Sequence, residues 1–167
     1  MKRQIVDEHD KLIGYKTRDE ITHPDDIYRV SALWLTNAKG EILLAQRGLS
    51  LRNGPGLWGP AVAGTVEEGE TYESNIYKEA EEEIGLTDYT FTVSKKLFVN
   101  GHRRYFCQFF TAVIDRPAEE FQPDPREVAQ VRWINPKALR QEVAAHPERF
   151  TPSFSSVSLD AFVPSDL

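Results

Sequence analysis

Between Gly64 and Leu86 the chain carries eight glutamates and one lysine, laid over an apolar four-residue repeat of Tyr72, Ile76, Ala80 and Ile84. That spacing puts the apolar side chains on one stripe of an α-helix. The pattern predicts a helix over Glu70 to Ile84, with Thr71 as its N-cap and Gly85 where it stops. With Glu79 set to zero and about 100° of rotation per residue, Glu82 falls at about −60°, Glu83 at about +40° and the apolar stripe at about +100°. Three carboxylates therefore share an arc that borders the buried side. Like charges at this spacing repel by about a few tenths of a kcal/mol per pair, so the helix gains from them only with a counter-cation. Oxygen ligands of this kind suit Mg²⁺ or Mn²⁺, which keep several waters and bridge to phosphates. A solvated acidic face is the other reading of the same residues.

The stretch from Gly64 to Leu86 holds a charge of −7, whereas the whole chain stands at −6, which leaves the remainder at +1. A nearly neutral body with one acidic segment lacks the basic stripe that wraps a nucleic-acid polymer. The 167 residues suit one domain, which we divide into an N-terminal extension over 1–29, a core over 30–140 and a tail over 141–167. No apolar run reaches the roughly 20 residues of a membrane-spanning helix, and the first residues lack the apolar centre of a signal peptide. The single Cys107 has no internal disulfide partner. A cytoplasmic setting is expected from these features.

Gln4–Glu8 and Leu12–Lys16 read as a strand pair around a polar turn, and Tyr28–Thr36 and Glu41–Arg47 as a hairpin around Asn37-Ala38-Lys39-Gly40. Leu49–Leu57 contains Asn53-Gly54-Pro55-Gly56 and is loop, and Trp58–Gly64 reads as one tightly packed strand. Tyr89–Val99 and Arg104–Ile114 flank the turn signal Asn100-Gly101. Three prolines make Asp115–Glu127 an irregular loop of a length associated with function. Val128–Ile134 reads as a strand and Pro136–Ala145 as a helix with proline in its first turn. From Phe150 onward no periodicity is visible.

The stretch Gly64-Thr-Val-Glu-Glu-Gly-Glu70-Thr-Tyr-Glu-Ser-Asn-Ile-Tyr-Lys78-Glu79-Ala-Glu-Glu82-Glu83-Ile-Gly85-Leu86 resembles the signature of the Nudix hydrolase family, G-x5-E-x7-R-E-U-x-E-E-x-G-U with U apolar. Every fixed position matches except Lys78, where the family has Arg. Glu41–Arg47, Pro55-Gly56-Leu57-Trp58 and Arg132-Trp133-Ile134 resemble the flanking family segments. The resemblance implies an α/β (α+β) fold, a Nudix-type α/β/α sandwich with a mixed β-sheet. It implies divalent metal, Mg²⁺ or Mn²⁺, held by Glu79, Glu82, Glu83 and the carbonyl of Gly64, with Glu70 pairing to Lys78 to orient the helix. The implied reaction is hydrolysis of a diphosphate linkage in a nucleoside diphosphate joined to another moiety, with a small-molecule partner. Homodimers are common in the family, and nothing in this sequence decides that point.

Phosphoanhydride hydrolysis needs charge neutralised on the bridging oxygens and one carboxylate to accept a proton. Glu79 and Glu127 are the candidate bases. Arg47 and Arg52, with Arg103 and Arg104, are candidate phosphate contacts, Arg47 foremost because it lies on the family-like strand. Trp34, Trp58, Tyr105 and Phe109 are expected in the core more than on a base, the four histidines have no ligand spacing, and Cys107 is expected to be packed and inert. The N-terminal layout also resembles the isopentenyl-diphosphate isomerase branch. That branch carries a reactive Cys and a metal-binding His where this chain has Ala63 and Thr65, so an isomerase-like subgroup of hydrolases is the expectation. A non-catalytic nucleotide-binding module is the remaining alternative.

Overall fold

The computed structural model describes all of residues 1–167. Its strands are β1 (Lys2–Val6), β2 (Leu12–Thr17), β3 (Ile27–Thr36), β4 (Ile42–Arg47), β5 (Trp58–Pro60), β6 (Val62–Thr65), β7 (Thr92–Asn100), β8 (Arg104–Val113) and β9 (Val128–Ile134). Its helices are α1 (Tyr72–Ile84), α2 (Pro136–Ala145) and α3 (Leu159–Phe162). β3 runs parallel to β8 along its whole length and antiparallel to β1 and β6, while β4 takes β5 and β9 as antiparallel partners. The sheet is therefore mixed.

Both faces of the central strands are buried, which is why they read as unbroken apolar runs instead of alternating ones. Period-2 geometry sends Leu33, Leu35, Leu43, Ala45 and Phe110 into one layer with Ile76, Ala80 and Ile84 of α1. Their neighbours Ala32, Trp34, Ile42, Leu44 and Phe109 go to the opposite layer, with Leu139 and Val143 of α2 and with Phe154 and Leu159. The result is the expected α/β/α sandwich. Trp34 and Phe109 are core, and Cys107 is buried, which pushes its thiol pKa up.

Four local expectations are corrected. Trp58–Gly64 is two short strands, because the chain switches partner from β4 to β3 across Ala61. The segment before Thr92 does not join the ladder; Asp88 takes a left-handed φ of 62° there. Asn100 stays in β7 opposite Arg104, so residues 101–103 make the turn and Gly101 has no positive φ. The region after Phe150 is helical from 152 to 162, with a π-helical stretch over Phe154–Ser158. The π turn spaces buried Phe154 and Leu159 five residues apart, a period that a search for 3.6-residue repeats passes over.

One side chain ties the N-terminal hairpin to the rest. Asp10 sits in the β1–β2 turn at φ 61°, a conformation Asp and Asn tolerate better than most residues. Its carboxylate accepts hydrogen bonds from Arg29 Nε at 2.7 Å, Lys96 Nζ at 2.6 Å and the Tyr72 hydroxyl at 3.0 Å. Burial raises the Asp10 pKa, but these partners outweigh it and hold the carboxyl below its ordinary range. A depressed folded-state pKa adds stability that is present above the unfolded value and lost as pH falls through the folded one. Asp10→Asn keeps the turn and removes the charge, leaving two cations facing Tyr72. The expected cost near neutral pH is about 1–3 kcal/mol, read by urea denaturation, and the gap to wild type should close below the usual carboxylate range. An equal gap at acidic pH would show that the charge is not the cause.

Candidate metal centre

The acidic helix is held by both of its ends. Thr71 Oγ1 accepts from the Ser74 backbone N–H at 3.0 Å, and Ser74 Oγ accepts from Thr71 N–H at 2.9 Å, closing a capping box. At the other end Gly85 adopts φ 65°, its N–H donating to the Glu81 carbonyl and that of Leu86 to the Ala80 carbonyl, each at 3.0 Å. Two further carbonyls at this end, which a helix leaves unpaired, accept from the 115–127 loop. The Gln122 N–H donates to Ile84 and the Asp124 N–H to Glu83, both at 3.0 Å. Gly85 also lacks room for a side chain, since a Cβ there would lie 2.9 Å from Gln122 Cβ.

That docking brings Glu127 to the helix. Glu127 is pinned from its other side by Gly48, whose N–H donates to the Glu127 carbonyl at 2.7 Å. Carboxylate oxygens of Glu79, Glu83 and Glu127 lie within 4.8 Å of one another. Glu79 passes directly over Gly64 of β6, where an added Cβ would fall 2.3 Å from Glu79 Cγ. Glu83 Oε2 accepts from the Ala63 N–H at 3.3 Å. Glu82, expected with this group, is exposed at the rim, and its charge reaches Glu79.

Burial pushes the Glu79 carboxyl up to about 7, with repulsion from Glu82 and Glu127 adding to it and Lys78 opposing it. Burial also drives Glu83 well above its ordinary value, reinforced by Glu79 and Glu127 and opposed by the Ala63 N–H and Arg47. Three carboxylates face one another, and the ammonium nearest them, Lys78 at 3.5 Å from Glu79, is shared with Glu67 and Glu70. The donors are hard oxygens converging from a helix and a loop, the set that Mg²⁺ or Mn²⁺ accepts, so these residues fit a divalent cation.

Lys78, the departure from the family pattern, spans three carboxylates. Its Nζ lies 2.5 Å from Glu70, 3.2 Å from Glu67 and 3.5 Å from Glu79. Burial opposes its charge, but the bonds to Glu70 and Glu67 prevail and raise its pKa. Glu70 also accepts from the Glu67 N–H and from Asn75 Nδ2, each at 2.9 Å. Glu67 and Asn75 were not among the expected site residues. Asn75 is fully buried and its amide reaches the Thr65 carbonyl and Glu79 as well as Glu70. The only available hint was a polar residue inside the helix one turn before Glu79.

Arg47 donates to the Asn53 carbonyl at 2.9 and 3.1 Å. Burial lowers its pKa, the charges of Glu83 and Glu127 act against that, and the residue borders the carboxylates. Arg52 is exposed, and Arg104 pairs with Glu8 and Asn100. Half-buried Trp58 carries the Arg132 guanidinium 4.4 Å above its ring.

Comparison with known proteins agrees with this geometry. The NUDIX domain family model matches residues 27–154. A protein of Pseudomonas aeruginosa described as an uncharacterized Nudix hydrolase is 32% identical over 143 residues, covering 85% of this chain and 83% of that protein. An isopentenyl-diphosphate Delta-isomerase of Kocuria rhizophila is 28% identical over 156 residues, covering 89% and 85%. A crystal structure of a Deinococcus radiodurans protein superposes with a TM-score of 0.81 at 20% identity, covering 97% of this chain and 99% of that one.

Proposed function

The chain belongs to the Nudix family, and from that membership we propose that it hydrolyses the diphosphate linkage of a nucleoside diphosphate joined to another moiety, dependent on Mg²⁺ or Mn²⁺. Membership and the hydrolase relatives support hydrolase chemistry in general. The observation that carries the finer reading is the convergence of Glu79, Glu83 and Glu127 within 4.8 Å beside Gly64. Glu79 and Glu83, joined by Glu82 from the rim and the Gly64 carbonyl, would hold the metal, which when bound neutralises phosphate charge and lowers the pKa of water. Glu127 and Glu79 are the carboxylates placed to accept a proton. Arg47 lies beside them as a phosphate donor, and Arg52 stands nearby in sequence on the exposed 49–57 loop. Asn75, Glu70 and Lys78 keep Glu79 aimed at the cluster.

The isomerase relatives raise a second reading. In this chain Ala63 has no proton to move and Thr65 is a poor metal ligand, so the groups that reaction requires are missing at those two positions. The test is a screen of nucleotide sugars, dinucleoside polyphosphates, nucleoside di- and triphosphates and isoprenoid diphosphates with Mg²⁺ and Mn²⁺, run beside Glu83→Gln. Cleavage lost in the variant supports the hydrolase. Tight metal-dependent binding without turnover would replace it with the binding module.

Lys78→Arg restores the family residue and supplies a planar fork in place of a point charge. Equal or higher kcat/KM is the expected result. A severe loss would mean that the three-way lysine contact is specific to this chain.

A further inference from the structure

The strand β1 carries one polar side chain into the interior of the protein. Gln4 is only 4% exposed and stands beside the buried Ile5 and Val6, and a carboxamide so placed needs partners for its polar atoms. It has them. Its Nε2, with two hydrogens to give, donates to the main-chain carbonyl of Glu67 at 2.9 Å and to that of Glu70 at 2.7 Å. Its Oε1 accepts from Arg29 Nη1 at 2.8 Å, and Arg29 is in turn held by Asp10. The backbone of β1 adds to the same grip. The Gln4 N–H donates to the Val66 carbonyl at 3.2 Å, and the Glu68 N–H donates to the Lys2 carbonyl at 2.8 Å.

What Gln4 holds is the turn that leads into α1. The Glu70 N–H closes that turn onto the Glu67 carbonyl at 3.1 Å, with Gly69 at φ 86° inside it, the positive φ that a type II turn requires at its third residue. Thr71 is the N-cap of α1, so the Glu70 carbonyl lies ahead of the helix and gains no partner from its ladder. The two clamped residues are also the ones whose carboxylates hold Lys78, at 3.2 Å for Glu67 and 2.5 Å for Glu70, and Lys78 lies 3.5 Å from Glu79. Glu70 further accepts from the Asn75 amide, which reaches Glu79 at 3.4 Å. A connected path of contacts therefore runs from the N-terminal hairpin through Gln4, the 67–70 turn and Lys78 to one carboxylate of the cluster.

We propose that Gln4 is a positioning residue of the metal centre, fixing the 67–70 turn so that Glu70 and Lys78 hold Glu79 where it can take a cation. The proposal rests on the metal reading of the Glu79, Glu83 and Glu127 cluster, and it gives the N-terminal extension a part in that centre. Without the amide, the Glu67 and Glu70 carbonyls lose a buried donor, and the turn keeps only its own closing bond and the flanking strand contacts. Residues that bond to the groups around a metal instead of to the metal itself commonly change its affinity by about 10- to 100-fold.

The test titrates the full metal-free chain with Mn²⁺ alone, so that turnover does not enter. Gln4→Met keeps the length of the side chain and removes both donors, and Mn²⁺ affinity should fall about tenfold. In a Glu70→Gln background, where the link through Lys78 is already weakened, the same change should cost about twofold or less, because the two residues act on one path. Gln108→Met removes another buried amide, bonded to the Ser94 and Phe109 carbonyls at 2.9 and 3.0 Å. It should lower stability in urea without moving Mn²⁺ affinity. Unchanged affinity in Gln4→Met, an undiminished loss in the Glu70→Gln background, or an equal loss from Gln108→Met would overturn the proposal while the metal reading stands. Failure of wild type to bind Mn²⁺ would sink both together. If Gln4→Met does not fold, Gln4→Asn, which withdraws the carboxamide by one methylene, goes through the same comparison, and failure of both to fold would assign Gln4 to the fold alone. Once a substrate is in hand, Gln4→Met should lower kcat more than it changes KM; a rise in KM alone would also count against the positioning role.

Discussion

Glu83→Gln is expected to remove metal-dependent turnover by about three orders of magnitude or more, while making the metal-free protein more stable. The first effect follows from the donor set: the amide keeps the shape of the side chain and can still accept from the Ala63 N–H, 3.3 Å from the native carboxylate, but it no longer supplies a negative oxygen. Loss of about 4 kcal/mol of transition-state stabilisation corresponds to about a thousandfold in rate. The second effect follows from repulsion. Glu83 is partly buried beside Glu79 and Glu127, and both raise the cost of charging it. Neutralising one member should return on the order of 1–2 kcal/mol without metal, a Tm rise of a few degrees. Paired activity assays and calorimetry, with and without metal, read both. Retained turnover would remove Glu83 from the metal set, and a fall in metal-free Tm would assign its carboxylate a structural role instead.

Gly64→Ala should be nearly as damaging for a steric reason. The new Cβ would lie 2.3 Å from Glu79 Cγ and 2.4 Å from its Cδ, far inside any tolerable contact. Gly64 is paired to Ser31 within β6 and β3, and Ser31 Oγ donates to the Tyr72 carbonyl of α1 at 2.8 Å, so neither backbone retreats freely. Glu79 must leave the cluster. Mn²⁺ affinity measured by titration should fall about tenfold or more and turnover about a hundredfold, with a stability cost of about 1–3 kcal/mol for the overpacked contact. Gly14→Ala is the control, because nothing lies within 4 Å of a Cβ at that strand glycine. Normal metal binding by Gly64→Ala would mean that Glu79 is not needed in its observed position.

The helix was legible because every local signal agreed. The four-residue apolar repeat, Thr71 at one end and Gly85 at the other describe a helix that α1 matches to within two residues. The central strands were legible in the same way, from apolar runs bounded by turn formers. Where local signals served two outcomes, the reading failed: Asn100-Gly101 promised a two-residue turn, and the π turn near Phe154 hid a buried helical segment.

The sequence by itself determined that a helix would carry glutamates along the border of its buried face, that a glycine would precede it, and that the family would be Nudix. The first two follow from spacing within one segment, where 3.6-residue geometry leaves little freedom, and the family from the resemblance of Gly64 to Leu86 to its signature. Only the tertiary structure decided which carboxylates converge. Glu82, three residues from Glu79, turns to the rim, while Glu127 arrives from a loop because the end of α1 leaves carbonyls that the Gln122 and Asp124 N–H groups satisfy. Likewise, Gly64 lies under Glu79 only because β6 pairs with β3, whose Ser31 is bonded to the Tyr72 carbonyl of α1. Contacts between distant segments depend on strand partners and on unpaired backbone groups, and neither is written in the spacing of residues along one element.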